Sequence, residues 1–274
     1  MRTFILIGIF WAGASAANAA PAAGPGFQEL AGYRASDVAQ ALGEPGQPAF
    51  PQPGAAVPAC SRPQARIDAA GNIYNGRKLL GRGATGYKTG CTDDVAWTDR
   101  SGYLYRNSDR IGNGAREYAL AAFTGDVIWT DAYSYLYRNG ARIGQSAVRH
   151  DINAFSGQVI WADVYGYLYR NDRLKTDRIG SDVREYKTAA FCPAVLWLDR
   201  FNGLYRNDGA ATRRIGSDVK KYSVAARNGM AAWLDSHDAL FVGGLPLARG
   251  VREYSQDAWG NITWTDLNGG QHQN

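Results

Sequence analysis

Six times in this 274-residue chain a Trp-led segment returns: WTDRSGYLYRN at Trp97, WTDAYSYLYRN at Trp129, WADVYGYLYRN at Trp161, WLDRFNGLYRN at Trp197, WLDSHDALF at Trp233 and WTDLNGG at Trp264. The tryptophans lie 32, 32, 36, 36 and 31 residues apart, and most units close on Arg-Ile-Gly. A fixed period of this size restricts the chain to a solenoid, an array or a propeller, because each unit can bury its apolar face only against its neighbours.

Composition within a unit chooses among these. Runs of three to five apolar residues rich in Tyr, Val, Ile, Trp and Phe alternate with Gly, Asn and Asp, which reads as short strands between tight turns. In the unit from Arg116 to Gly144 the pattern predicts strand a over Tyr118 to Phe123 and strand b over Val127 to Thr130. Strand c follows over Tyr135 to Arg138, and strand d over Ala141 to Ile143. Asn139-Gly140 between c and d is the dipeptide of a primed hairpin turn. Four strands per unit make a small propeller blade. No unit carries the three- and four-residue apolar spacing of a helical repeat.

The two ends of the array suggest closure. Arg66 to Gly81 keeps the spacing of strands b, c and d, with Arg66 where Trp stands elsewhere; Tyr254 to Asp266 supplies strands a and b before a polar tail. A six-bladed propeller of four-stranded blades, closed by pairing of the N- and C-terminal strands, is therefore expected over residues 64–274. Both ends hold a b-like position, so seven blades is the alternative.

Upstream of the array, Arg2, the apolar run Phe4 to Ala12 and Ala17-Asn18-Ala19 read as a signal peptide over residues 1–19. That run is too short to span a bilayer, and the protein is expected to be secreted or periplasmic. Residues 20–63 are Pro-, Gly- and Ala-rich and read as a linker, with a short helix at 35–42. Export fits a disulfide between Cys60 and Cys91, leaving Cys192 alone; three reduced thiols is the other reading. The net charge of +5 is spread over the units, which argues against a specific nucleic-acid partner. No Cys and His spacing indicates a metal, and no cofactor is implied.

Among the repeated residues, the Asp of Trp-x-Asp reads as the acceptor of backbone N–H groups in the b–c turn. The alternatives, calcium or catalysis, would need several convergent oxygens or a second acidic partner. Each Trp reads as a wedge between blades, or as a ring that stacks on a sugar face. Leu104, Leu136, Leu168 and Leu204 read as core, with Tyr105, Tyr137, Tyr169 and Tyr205 on the opposite face. Arg106, Arg138, Arg170 and Arg206 fall on the Leu face at strand ends, within reach of solvent.

The candidate ligand sites are the segments before strand a. Arg116, Glu117 and Tyr118; Arg184, Glu185 and Tyr186; and Arg252, Glu253 and Tyr254 repeat one set, expected to line clefts between neighbouring blades. Charged groups that bond vicinal hydroxyls, beside an aromatic ring, suit a hydroxyl-rich ligand. Duplicated surface ion pairs are the competing explanation. His150 is read at the Glu position of its unit.

Over residues 64–274 the chain resembles the short-blade lectin propellers of the tectonin and tachylectin kind, through its period, its Trp near strand b and its Gly-x-Leu-Tyr hairpin. It is more loosely similar to six-bladed fucose-binding lectins that place Arg, Glu and Trp between blades. The resemblance implies multivalent binding of glycans or glycoconjugates, with avidity from repeated sites. A non-enzymatic scaffold for envelope proteins is the alternative. An enzyme is not expected, since near-equivalent repeats leave no asymmetric constellation and His150, His237 and His272 have no evident partners in the sequence.

Overall fold

The computed structural model describes residues 64–274. The expected signal peptide, the 20–63 segment with its short helix, and Cys60 lie outside them. The described residues form twenty-six strands in seven antiparallel sheets, and no helix among them is long and apolar enough to cross a membrane. Five sheets are four-stranded meanders; the first and last have three strands each. In the third sheet the strands are Glu117–Leu120, Val127–Thr130, Leu136–Arg138 and Ala141–Gly144, close to the expected a, b, c and d. Asn139 and Gly140 both have positive φ, 48° and 90°, as a primed hairpin turn requires.

Successive sheets stack face to face, and strand alternation decides what meets. In the fifth sheet Trp197 pairs across strands with Tyr186 and Tyr205, and all three face backward onto the fourth sheet. Leu196, Leu198 and Leu204 face forward onto Val219, Tyr222 and Trp233 of the sixth. The same division recurs along the array, so the core is a series of interfaces and not one central cluster. The all-β, propeller-type reading stands.

The Gly of Arg-Ile-Gly has a steric cause. Each tryptophan from Trp97 to Trp233 packs on that Gly of the preceding sheet. A Cβ on Gly180 would stand 2.9 Å from the Trp197 ring, and one on Gly112 2.6 Å from Trp129. Only a residue without a side chain lets the ring lie flat against the backbone. The five rings are 4% exposed or less. The last junction departs from the pattern: Ala248 pairs with Leu240 where Gly216 pairs with Leu204, and Trp264 is only half-buried.

The expected merger of the two ends is overturned. Tyr254 to Asp266 pairs within the seventh sheet, whose third strand is Gln271–Gln273, while Asp68 to Gly81 belongs to a separate first sheet. The cause is legible on the forward face of the last sheet. Thr263, Thr265 and Gln271 stand where Leu196, Leu198 and Leu204 stand in the fifth, so the face offers no apolar surface to a further sheet. At the other end, Arg66 replaces the wedge Trp and lies 4.8 Å from the Tyr74 ring centroid. Polar outer faces are what the terminal units of a stacked array require.

Candidate functional site

The b–c turns are built identically in all seven sheets. In the fourth, Asp163 Oδ1 accepts the N–H groups of Tyr165 and Tyr167, both at 2.9 Å, and Gly166, two residues before the strand Leu168–Asn171, has φ 80°. The same pair of bonds is made at Asp68, Asp99, Asp131, Asp199, Asp235 and Asp266. These carboxylates are turn acceptors, as the spacing implied. Oδ2 of Asp99, Asp131 and Asp163 accepts the hydroxyl of Tyr105, Tyr137 or Tyr169, whose ring stacks on the Trp of its own sheet.

This unit forms one wall of a cleft. The opposite wall is strand d of the preceding sheet. One cleft, of about 320 Å³, is lined by Gly144, Ser146, Trp161, Asp163, Tyr165 and Tyr169, among others. The next, of about 480 Å³, is lined by the equivalent Gly180, Asp182, Trp197, Asp199, Phe201 and Tyr205. At the mouth stand Tyr165 and Phe201, 75% and 69% exposed, and Tyr133 occupies the same turn position one sheet earlier at 80%. Arg142 and Arg178 lie over Tyr135 and Tyr167 beside these turns, 4.5 and 4.8 Å from the ring centroids. An unshielded ring beside hydroxyl, carboxylate and guanidinium groups can hold a small polyol ring by its apolar face and its hydroxyls together.

The Arg-Glu-Tyr clusters do not form the expected clefts. Apart from Arg116, which precedes Glu117–Leu120, they lie within strand a and not in the d–a connection, and Glu and Tyr, being successive, point to opposite faces. Tyr186 and Tyr254 are buried, donating to the carbonyls of Ile160 and Ala232 at 3.3 and 2.9 Å. Burial raises both phenols, Tyr254 to about 12. Tyr118 is half-buried, 5.0 Å by ring centroid from the Lys88 ammonium. Arg116, Glu117, Arg184, Arg252 and Glu253 are exposed and Glu185 half-exposed; Arg184 bonds Asn202 at 2.6 Å and comes within 4.0 Å of Glu185. Glu253 and Tyr254 border an open groove of about 690 Å³ that also includes Lys221, Trp264 and His272. It follows the polar forward face of the last sheet, along Thr263, Thr265 and Gln271.

Three further readings are corrected. His150 pairs with Trp161 as Tyr186 pairs with Trp197, so it stands at the Tyr position and Arg149 at the Glu position. Its side chain is 8% exposed, both ring nitrogens lack hydrogen-bond partners, and Glu117 is 3.9 Å away. His272 does have a partner, Asp266, at 2.9 Å. Arg138, Arg170 and Arg206 are buried and not solvent-reaching: Arg138 and Arg170 donate to Asn171 and Asn207 of the following sheet, at 2.9 and 2.7 Å, pinning neighbours together. Arg138 also meets Asp126 at 2.7 Å; burial opposes the charge on that carboxylate, but Arg138 and Arg173 hold it down to about 2. Cys192 is a buried free thiol.

No family model matches the chain, and no curated protein does. Among solved structures it is similar to Hsv2 of Kluyvelomyces marxianus, at 11% identity and a TM-score of 0.38 over 71% of this chain and 81% of that one. It is also similar to BamB of Moraxella catarrhalis, at 11% identity and a TM-score of 0.33 over 75% and 79%. The fold assignment rests on the sheets and their stacking.

The exposed aromatics of the b–c turns were missed in the sequence. Their signal was present, an aromatic two residues after Asp at Tyr133, Tyr165 and Phe201, where a turn would ordinarily carry a polar side chain. No group of three or more His, Cys, Asp or Glu that could hold a metal occurs among the described residues.

Proposed function

We propose that the chain is an exported, non-enzymatic carbohydrate-binding protein whose sites are the repeated clefts at the b–c turn end of the array. The observation that carries this is the recurrence of two consecutive clefts that share nine of their ten lining positions, each with an exposed ring at its mouth. A ring mostly exposed on three successive units contributes little to packing, although Arg200 lies 5.2 Å over Phe201, and it supplies the flat apolar surface that the C–H face of a sugar requires. Open clefts of this size hold one or two sugar rings weakly, with a Kd between about 1 mM and tens of micromolar; several on one molecule give useful avidity on a glycan-coated surface.

A glycan array followed by agglutination tests this. Replacing Tyr133, Tyr165 and Phe201 together by Ala should abolish sugar-dependent agglutination while thermal unfolding stays close to wild type, because these rings are exposed. Replacing Glu117, Glu185 and Glu253 by Gln should leave the titre unchanged. An array without a single specific glycan would move the assignment to a protein-interaction scaffold at the envelope.

A further inference from the structure

The opposite end of the array carries a different surface. There the a–b turns of successive sheets are joined by backbone hydrogen bonds: Cys91 donates to Ala122, Phe123 to Ala154, Phe191 to Ala226 and Arg227 to Ala258. The residue six positions before each Trp therefore recurs at the turn tip, as Cys91, Phe123, Phe155, Phe191 and Arg227. The three Phe rings touch pairwise, with centroids 5.7, 6.2 and 6.5 Å apart. Contact between Phe123 and Phe191, two sheets apart, shows that the tips converge. The Arg227 guanidinium continues the line, 5.6 Å from the Phe191 centroid and 3.8 Å over Trp259. Phe155 and Trp259 are 38% and 44% exposed. Polar turns would solvate this end at no cost; a contiguous aromatic ridge marks a contact surface.

Where the chain enters indicates what covers it. Gln64 stands two residues before Arg66, the register of Val95 before Trp97, so the described chain begins at this same end. In the sequence Cys60 stands six residues before Arg66, as Cys91 stands six before Trp97. Immediately upstream, residues 45–58 read PGQPAFPQPGAAVP, with Pro45, Pro48, Pro51, Pro53 and Pro58 around Phe50. Proline-rich segments dock on aromatic-lined surfaces because their extended form is already ordered, and at about 3.1 Å per residue such a stretch reaches roughly 40 Å.

We propose that residues 45–58 of this chain lie across the Phe123, Phe155, Phe191 and Trp259 ridge, as a built-in ligand of the a–b turn end. The test is photo-crosslinking in the full mature chain with benzoylphenylalanine at position 50. The expected result is a crosslink within one chain to peptides carrying Phe155, Phe191 or Trp259, lost in the Phe155→Ser/Phe191→Ser variant. A second variant, with Pro45, Pro48, Pro51 and Pro53 replaced by Gly, leaves the ridge and its folding untouched and should lower the crosslink yield several-fold. Crosslinks between chains would assign the ridge to a second copy; crosslinks to the b–c turn end, no crosslink, or full yield from the Gly variant would each overturn the proposal.

Discussion

Replacing Gly180 by Ala isolates the contact that sets the spacing of the sheets. The backbone at Gly180 is not left-handed, so Ala carries no conformational penalty, and the whole effect comes from its Cβ, which would lie 2.9 Å from Cε2 and Cζ2 of Trp197. Ordinary carbon contacts need about 3.5 Å or more, so the ring must retreat by more than half an ångström. It has little room: Trp197 is 2% exposed and stacked on Tyr205 at 5.6 Å and 12°. Overpacking of this kind costs about 1–3 kcal/mol. For a chain of this size each kcal/mol lowers Tm by roughly 2–4 °C, which predicts a fall of about 2–12 °C with altered near-UV circular dichroism from the displaced indole. Gly86→Ala is the control, since its nearest neighbour is the Tyr118 hydroxyl at 4.0 Å, and it should be neutral or slightly stabilising. A Gly180→Ala protein that melts within 1 °C of wild type, with the same cooperativity, would refute the wedge.

Three more outcomes are expected. Burial pushes the His150 imidazole below its ordinary value, against the opposing pull of Glu117 and Asp151, and Lys88 pushes it further down. The unfolded chain then takes up the proton first, so stability is full above about pH 6.5 and declines as pH falls below it; His150→Tyr, whose hydroxyl has the Ile128 carbonyl as its register acceptor, should remove this dependence in melts from pH 7.5 to 5. Non-reducing peptide mapping of exported protein should show Cys60 joined to Cys91, and opening this loop of about 30 residues should cost about 3–4 kcal/mol; free thiols at both positions would end the idea. Asp126→Asn removes a buried carboxylate held by Arg138 and Arg173, and should destabilise by about 3 kcal/mol or more at pH 7, measured by urea unfolding. Because the Asp126 pKa is depressed, its contribution is intact above about pH 4 and lost as pH falls through about 2, so the difference between wild type and variant should shrink there.

The strands were legible because their signals are local. Alternation, the Asn139-Gly140 turn and the Asp acceptors each act within a dozen residues, and the b–c turns match them bond for bond. Stacking direction was not legible, since only knowing which face meets which neighbour separates a wedge Trp from a ligand platform. The Arg-Glu-Tyr reading failed on that point: adjacent residues in a strand cannot share a face, and placing them in a connection hid the conflict. His150 was misplaced by one residue because Arg149 was aligned with Arg184; counted back from the Trp, His150 and Tyr186 both stand eleven residues before it, and both pair with it. The merger of the two ends into one blade failed, and the alternative of seven units matches the seven sheets; Thr263, Thr265 and Gln271 were not weighed against the leucines at the same register. Their polarity was visible in the sequence.

The most direct measurement of the account is a crystal structure with a bound oligosaccharide chosen from the glycan array. Sugar density should appear between strand d of one sheet and the turn of the next, against Tyr165 in one cleft and Phe201 in the other, with the same ring face stacked in both. Density instead beside Glu117, Glu185 or Glu253, with the b–c turn clefts empty at saturating sugar, would contradict it.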